Sequence, residues 1–399
     1  MKILIISMNV APWGGSEELW KSIALKALKN GDEVMVSTYR HQSLNENIGA
    51  LQNLGADLHF RRLPSFEKNQ PFIKRGIAEL SVRLGLDQTV LEWMGINRWK
   101  PEVILFSSGE TFDHGLHHQF YPVKYCIQRG IPYYMISQRN WEWGLDVDDQ
   151  FRDSRKQLLK GCSGIFFVSY HNYKKACMQL AMKIPRARVV QNPLKADLKQ
   201  IIPYPQHEIP QLAYVARLQT AIKGQDLFLE ALSSQALREI PFQVSFFGRG
   251  PDENYLQKLI RHYGLEDKVH LRGYENSIEK IWASHQLLVL CSLAEGTPLA
   301  LKEAMACGRS AIITAVGDTK EWLSNDGFVA KSHRVASIEA AVLSAVNAKC
   351  QWEDLGQKCK ERILRNENPN EATHILECML GKRALEETGR DPVHYFSQL

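Results

Sequence analysis

Glu295 and Glu303, eight positions apart, bracket the start of an otherwise apolar helix in the segment Glu295-Gly-Thr-Pro-Leu-Ala-Leu-Lys-Glu303. Thr297 has the side chain of an N-cap, Pro298 suits the first helical position, and Gly308 suits the stop. The flanking runs 286–292 and 310–316 read as buried parallel strands. A helix opening at the carboxyl end of such a strand offers unbonded N–H groups and the positive end of its dipole, and together these bind phosphate. Glu295 sits just ahead of that helix. Glu303 lies about a turn and a half in, placed to accept hydrogen bonds from hydroxyls. Phosphate beside hydroxyls is the chemistry of a nucleotide sugar. The plainer alternative is a buried helix whose Glu303 caps or pairs structurally.

Two cations have the same bearing. Arg217 ends an apolar run and Lys223 follows six residues later, just before Gly224 and a helix predicted from about Gln225. Projecting from a strand-to-helix loop, Arg217 could grip two phosphate oxygens in a fork while Lys223 supplies a point charge. Breaking a sugar–diphosphate bond needs this, because negative charge grows on the departing oxygens. The alternative is two solvated loop cations. Near the start, Gly14-Gly15 joins a first strand to a helix opening at Ser16, with Leu19, Ile23, Ala27 and Leu28 on one face and a stop at Asn30-Gly31. Paired glycines let backbone approach a ligand closely. Glu17 and Glu18 partly neutralise the helix dipole, so this loop suits sugar and acceptor better than phosphate.

The elements that must hold these residues alternate between apolar β-like runs and helical periods from end to end, the pattern of parallel α/β architecture. The first set of strands is expected at 3–7, 33–37, 103–107, 133–137, 165–169 and 188–191. The second is expected at 212–215, 243–248, 269–271, 287–291, 311–315 and 328–330. Between them, Asn192-Pro193, Pro203-Tyr-Pro205 and Pro210 mark an aperiodic linker. The expected division is 1–195, 206–370 and a helical tail 371–399 long enough to cross back. At 399 residues the chain has room for two such cores.

Composition excludes several classes. The longest apolar runs fall far short of the ~20 residues of a membrane span. The start, Met1-Lys2-Ile-Leu-Ile-Ile-Ser7, is a strand rather than a signal sequence. Eight cysteines without CxxC pairs fit reduced thiols, hence a cytoplasmic setting. A net charge of +5 without a dense basic stripe implies no nucleic-acid partner. The stretch 66–100, with Phe72-Ile-Lys-Arg-Gly-Ile77 and Trp99-Lys100, could meet an anionic membrane or a lipid-linked acceptor, or be an ordinary solvated face.

The Glu-x7-Glu segment before Ala-Met-Ala-Cys-Gly resembles the retaining glycosyltransferases of family GT4. Further marks are Gly14-Gly15-Ser16-Glu17, Tyr214-Val-Ala-Arg217 with Lys223-Gly-Gln-Asp-Leu, Phe247-Gly-Arg-Gly-Pro251 and Leu271-Arg-Gly-Tyr274. In order, they cover nearly the whole chain. The resemblance implies a GT-B fold, two Rossmann-like doubly wound domains facing a central cleft. It implies a retaining, metal-independent transferase that moves a sugar from a UDP or GDP conjugate to a glycan or lipid-linked acceptor. No cofactor is implied, and contact with the inner face of a membrane fits.

By resemblance, Arg217 and Lys223 bind the donor diphosphate and Glu295 contacts the transferred sugar. Glu303 then holds the ribose. Thr297, Pro298 and Leu299 supply the phosphate-binding turn, and Gly248, Tyr274 and Glu275 border the nucleotide. Gly14, Gly15, Gln138 and Arg139 face the sugar and acceptor. Two departures stand out. Ala216 replaces the usual Gly before Arg217, and Gln138 occupies a position where many members carry His. A Gln can bond a hydroxyl but cannot carry a proton charge.

Other features were weighed against this reading. His114-Gly-Leu-His117-His118 has helical metal-ligand spacing but lacks a carboxylate or Cys partner. Asp146-Val-Asp148 matches a metal-binding signature of the other glycosyltransferase fold but does not follow a strand. Trp13, Trp141 and Trp143 could stack on sugar rings or pack in the core. Two further functions fit the same fold: a nucleotide-sugar epimerase, and a non-catalytic donor-binding partner in a polysaccharide assembly complex.

Overall fold

A computed structural model of the chain describes residues 1–63, 88–113, 116, 120–142, 149–196, 198 and 201–392, side chains at 88–92 and 94 excepted. Trp143, the histidines 114, 117 and 118, the Asp146/Asp148 pair and most of the basic stretch 66–100 lie outside the described residues. Trp99 itself is described. It donates to Asp57 at 2.8 Å and lies beneath the Lys2 ammonium, so packing against the first strands accounts for it.

Apolar runs build two parallel sheets. The first holds β1 (Lys2–Ser7), β2 (Glu33–Tyr39), β3 (Asp57–Arg61), β4 (Val103–Ser108), β5 (Tyr133–Ser137), β6 (Gly164–Phe167) and β7 (Ala187–Val189), in the order β3-β2-β1-β4-β5-β6-β7. The second holds β8 (Gln211–Val215), β9 (Gln243–Phe247), β10 (Val269–Gly273), β11 (Leu287–Leu290), β12 (Ser310–Thr314) and β13 (Phe328–Ala330), in the order β10-β9-β8-β11-β12-β13. Both are doubly wound, with the order reversing between β1 and β4 and again between β8 and β11. Crevices open at the carboxyl ends of strands where the order reverses, and ligands enter there. The strand β3 was not expected. Its alternation Leu58, Phe60 is brief and flanked by charge, because it is an edge strand whose neighbour is β2 alone.

Each sheet has its own core. The tail helix Glu371–Met379 joins the first one: Ala372, Ile375, Leu376 and Met379 pack with Leu19, Trp20 and Ile23 of the helix Glu17–Lys29. The chain therefore crosses between the halves twice. Lys302 ties these crossings together. It is wholly buried in the helix Leu299–Ala306, paired with Glu367 at 2.5 Å and donating to Gln191 Oε1 at 3.1 Å and to the Asn192 carbonyl at 3.3 Å. Burial lowers its pKa and Glu367 opposes that shift.

A broken buried pair leaves one charge uncompensated, which is far worse than removing both. Lys302→Met is expected to cost about 3 kcal/mol, read as a lower urea midpoint. Adding Glu367→Gln should recover most of that loss. A wild-type midpoint in the single variant would contradict the role given to this pair.

Candidate active site

The loops that leave β8 and β11 supply the chemistry. After β8 the chain runs through Arg217 into a single turn, Thr220–Lys223, and then Gly224 at φ 63° opens the helix Gln225–Leu232. A side chain at Gly224 would overlap the Cys291 carbonyl oxygen. Leu293 N–H bonds the Ile222 carbonyl at 2.7 Å. This close approach delivers Lys223 to Glu295, and the two form an ion pair. Ser292 donates to the same Glu295 oxygen at 2.8 Å. Thus two of the expected catalytic residues are in direct contact.

Thr297 is not the N-cap. The helix begins at Leu299, Pro298 precedes it in extended backbone, and the Thr297 hydroxyl instead donates to the Val168 carbonyl of the first domain at 2.8 Å. Pro298 carries no N–H, so it can shape a phosphate-binding turn but not donate to it. Among the described residues, the N–H groups of Gly296, Thr297, Leu299 and Ala300 have no acceptor. They form a short row of free donors beside Lys223 and Glu295.

Arg217 is exposed on the cleft wall. Its pKa is held below the usual arginine range by the crowding of the cleft and then by the Arg139 guanidinium, with Glu17 opposing. Arg139 belongs to the other domain, where Glu110 pairs with it and Trp141 donates to Glu110 at 3.0 Å. Two cations from opposite domains thus share one space, which an anion would relieve.

Glu303 is half-buried with no hydrogen bond to its carboxylate among the described residues. Burial pushes its pKa up to about 7; Lys195 opposes the shift and Glu18 adds to it. Glu17 is likewise raised to about 7 by burial, although Asn9, Ser16 and Ser7 all donate to it. Neither Glu17 nor Glu18 serves only the helix dipole. Glu18 accepts from Trp13 at 2.8 Å and pairs with Lys195 at 2.7 Å beside Glu303. Trp13 also meets Trp20 edge-on, so packing accounts for much of its surface.

The remaining expected residues fall into place unevenly. Gly15 lies against Leu299, where an added Cβ would sit 3.1 Å from its side chain, and Gly14 lies over the Glu17 carboxylate. Gly248, at φ 148°, packs on the Ala216 carbonyl, where a side chain at 248 would overlap the oxygen. Tyr274 is exposed and the Glu275 carboxylate accepts from Ser277 N–H at 2.9 Å. The Gln138 amide is paired at both ends with Asn192, at 3.2 and 2.8 Å, so it also fixes the linker.

Several important residues escaped the sequence reading. Asp318 is fully buried and caps a helix of the other domain, accepting from Ser169 Oγ at 2.9 Å, Tyr170 N–H at 2.9 Å and His171 N–H at 3.0 Å. Burial raises it to about 6 against those bonds. Asn172, in the capped helix Tyr170–Gln179, donates to the Glu295 carbonyl at 2.9 Å. Gly317 N–H reaches Glu142 at 3.3 Å, and Glu142 meets His171 at 2.9 Å. Only an Asp placed just ahead of a short helix hinted at any of this.

Comparison with known proteins bears on the fold and on the class of the second domain. Residues 209–348 match the family model described as Glycosyl transferases group 1. The N-acetyl-alpha-D-glucosaminyl L-malate synthase of Bacillus anthracis is 23% identical over 132 residues, 33% of this chain and 35% of that protein. The poly(ribitol-phosphate) alpha-N-acetylglucosaminyltransferase of Staphylococcus aureus is 25% identical over 143 residues, 35% of this chain and 29% of that protein. The chain thus spans about a third of the length of these relatives. Over 96% of the chain the fold matches Anabaena Alr3699/HepE, solved with UDP and glucose, with a TM-score of 0.66 at 15% identity and 99% of that structure covered. The architecture is GT-B, as the motifs implied, and no described helix is long and apolar enough to cross a membrane.

The Glu303 shift sets a pH dependence. Its folded pKa of about 7 exceeds the ordinary glutamate value of 4.5, so the folded state binds more protons between those values and its stability falls as pH rises through them. Glu303→Gln should therefore gain stability relative to wild type between pH 5 and pH 8, read from urea midpoints. A constant difference would contradict the raised pKa.

Proposed function

Starting from a group 1 glycosyl transferase domain at residues 209–348 and a GT-B fold, we propose that the chain is a retaining glycosyltransferase. It moves a sugar from a nucleoside diphosphate, UDP or GDP, to a glycan or lipid-linked glycan. The observation that carries this reading is the Lys223–Glu295 pair just ahead of a helix start whose Leu299 and Ala300 N–H groups have no acceptor among the described residues, with Arg217 on the loop that delivers Lys223.

Each residue has a defined task. The donor's diphosphate lies across the row of N–H groups, with Lys223 and Arg217 meeting the charge that grows as the bond to the sugar C1 breaks. Glu295, oriented by Lys223 and Ser292, accepts from hydroxyls of the transferred sugar. Glu303 accepts from the ribose, and Tyr274 and Glu275 border the base. The acceptor hydroxyl attacks C1 from the face the diphosphate leaves. Its proton passes to a departing phosphate oxygen, so configuration is retained and no protein base is required at Gln138. The positive charges needed come from side chains and helix dipole, and metal is not part of the proposed mechanism. The names of the two relatives, an N-acetyl-alpha-D-glucosaminyl L-malate synthase and an alpha-N-acetylglucosaminyltransferase, support the reaction class.

Lys223→Ala should lower kcat by about 10²- to 10³-fold, the range for loss of one preorganised charge-stabilising donor. Glu303→Gln should weaken donor binding about tenfold, near the ~1.5 kcal/mol of a hydrogen bond to a charged acceptor. Donor hydrolysis or transfer assays check both, and proton NMR of the first-formed product gives its anomeric configuration. Wild-type rates in both variants would refute the site, and an inverted product would refute the mechanism.

A further inference from the structure

A second cavity opens at the carboxyl ends of β2 and β3, on the edge of the sheet from which the Gly14-Gly15 loop rises. Its volume is about 250 Å³, and Pro12, two residues ahead of Gly14, forms part of its wall. Strand pairing sets Phe60 beside Thr38 on the face of the sheet that borders the cavity, while Tyr39 beside Arg61 turns its ring to the opposite face, 4.1 Å from the Arg61 guanidinium. Leu44 and Ile48 close the side toward the helix Glu46–Asn53.

Three observations say what could occupy it. First, the described lining includes Arg40 and His41 but no Asp or Glu. Second, Arg40 is exposed, forms no ion pair among the described residues, and rests 5.5 Å from the centre of the Phe60 ring. A guanidinium without a carboxylate at the mouth of a cavity favours an anion. Third, His41 Nε2 is shut away from solvent and has no hydrogen-bond partner among the described residues. Burial lowers its pKa, so the neutral ring offers one donor and one acceptor there. Buried polar atoms without a partner are uncommon, and a ligand hydroxyl would satisfy this one. Aromatic faces suit the C–H surface of a sugar ring.

We propose that this cavity is an acceptor subsite for an anionic sugar unit, its ring against Phe60, a hydroxyl on His41 and its phosphate or carboxylate on Arg40. The proposal rests on the reading of the first domain as the acceptor side. Its consequence is that the acceptor is an anionic glycan, recognised beyond the residue that receives the sugar.

The test uses the full chain with isotope-labelled histidine, the His41 signal being identified by its loss in His41→Gln. Glucose 6-phosphate, glucuronic acid and methyl glucoside are titrated separately. A shift of the His41 signal by one of the two anions is expected, and which one acts distinguishes phosphate from carboxylate. Methyl glucoside should bind at least tenfold more weakly, and Arg40→Ala should weaken the anion at least tenfold. Arg40 is exposed, so this variant should fold, and an unchanged unfolding midpoint confirms it. Equal binding of methyl glucoside, unchanged affinity in Arg40→Ala, or a His41 signal that no probe moves would each overturn the proposal. UDP and GDP are titrated into the same sample. Failure of both nucleotides counts against the transferase reading, whereas failure of the sugars with a nucleotide bound counts against this subsite alone.

Discussion

Everything in the site depends on how closely the backbone at Gly296 meets the opposite domain. A methyl group there would overlap the Gln138 carbonyl oxygen and the Val168 side chain, so only glycine permits this contact. On either side of it, Asn172 holds the Glu295 carbonyl and Val168 takes the Thr297 hydroxyl. Gly317, which lies against the Gly296 carbonyl, extends the seam to Asp318 and its cap on the Tyr170–Gln179 helix. The Glu295 side chain is therefore fixed by its own domain and its backbone by the other. A shift between domains cannot leave the carboxylate where it is.

That arrangement suits reaction chemistry that relies on charge placed in advance. A donor that must reorient costs part of the stabilisation it gives, whereas Lys223 is already fixed by Glu295 and the N–H groups by the helix start. Fixing Glu295 leaves Arg217 as the cation without a carboxylate contact in the described cleft, facing Arg139. Glu17 and Glu303 lie in the same region, with carboxyl groups whose pKa burial raises to about 7. The cleft thus brings cations toward each other and raises the proton affinity of its acids. A diphosphate with hydroxyls attached answers both.

Much of this was legible in the sequence because it was local. The strands β5 and β13 fall at the expected residues, and most others lie within one or two, since buried parallel strands are simple apolar runs. Lys223 and Glu295 were recognisable because loops at strand ends are short. The strand β3 was missed because an edge strand needs only half an apolar pattern. Thr297 was misassigned because its local fit as a cap lost to a carbonyl of Val168, 129 positions away. The Gln138 partner Asn192, 54 positions away, was equally out of local view. Asp318, Asn172 and Lys302 left little local trace, because their partners lie in another domain or across the linker. Local chemistry singled out candidate groups; it could not predict which groups hold them.

Hydrogen exchange of backbone amides, with and without UDP or GDP, tests the central claim most directly. The account requires one nucleoside diphosphate to slow exchange at Gly296, Thr297, Leu299 and Ala300, together with the Arg217–Lys223 loop, and requires Lys223→Ala to weaken that protection. Binding that protects other segments while leaving the 296–300 amides unchanged would show that the diphosphate does not lie on this helix start, and the proposed site would be wrong.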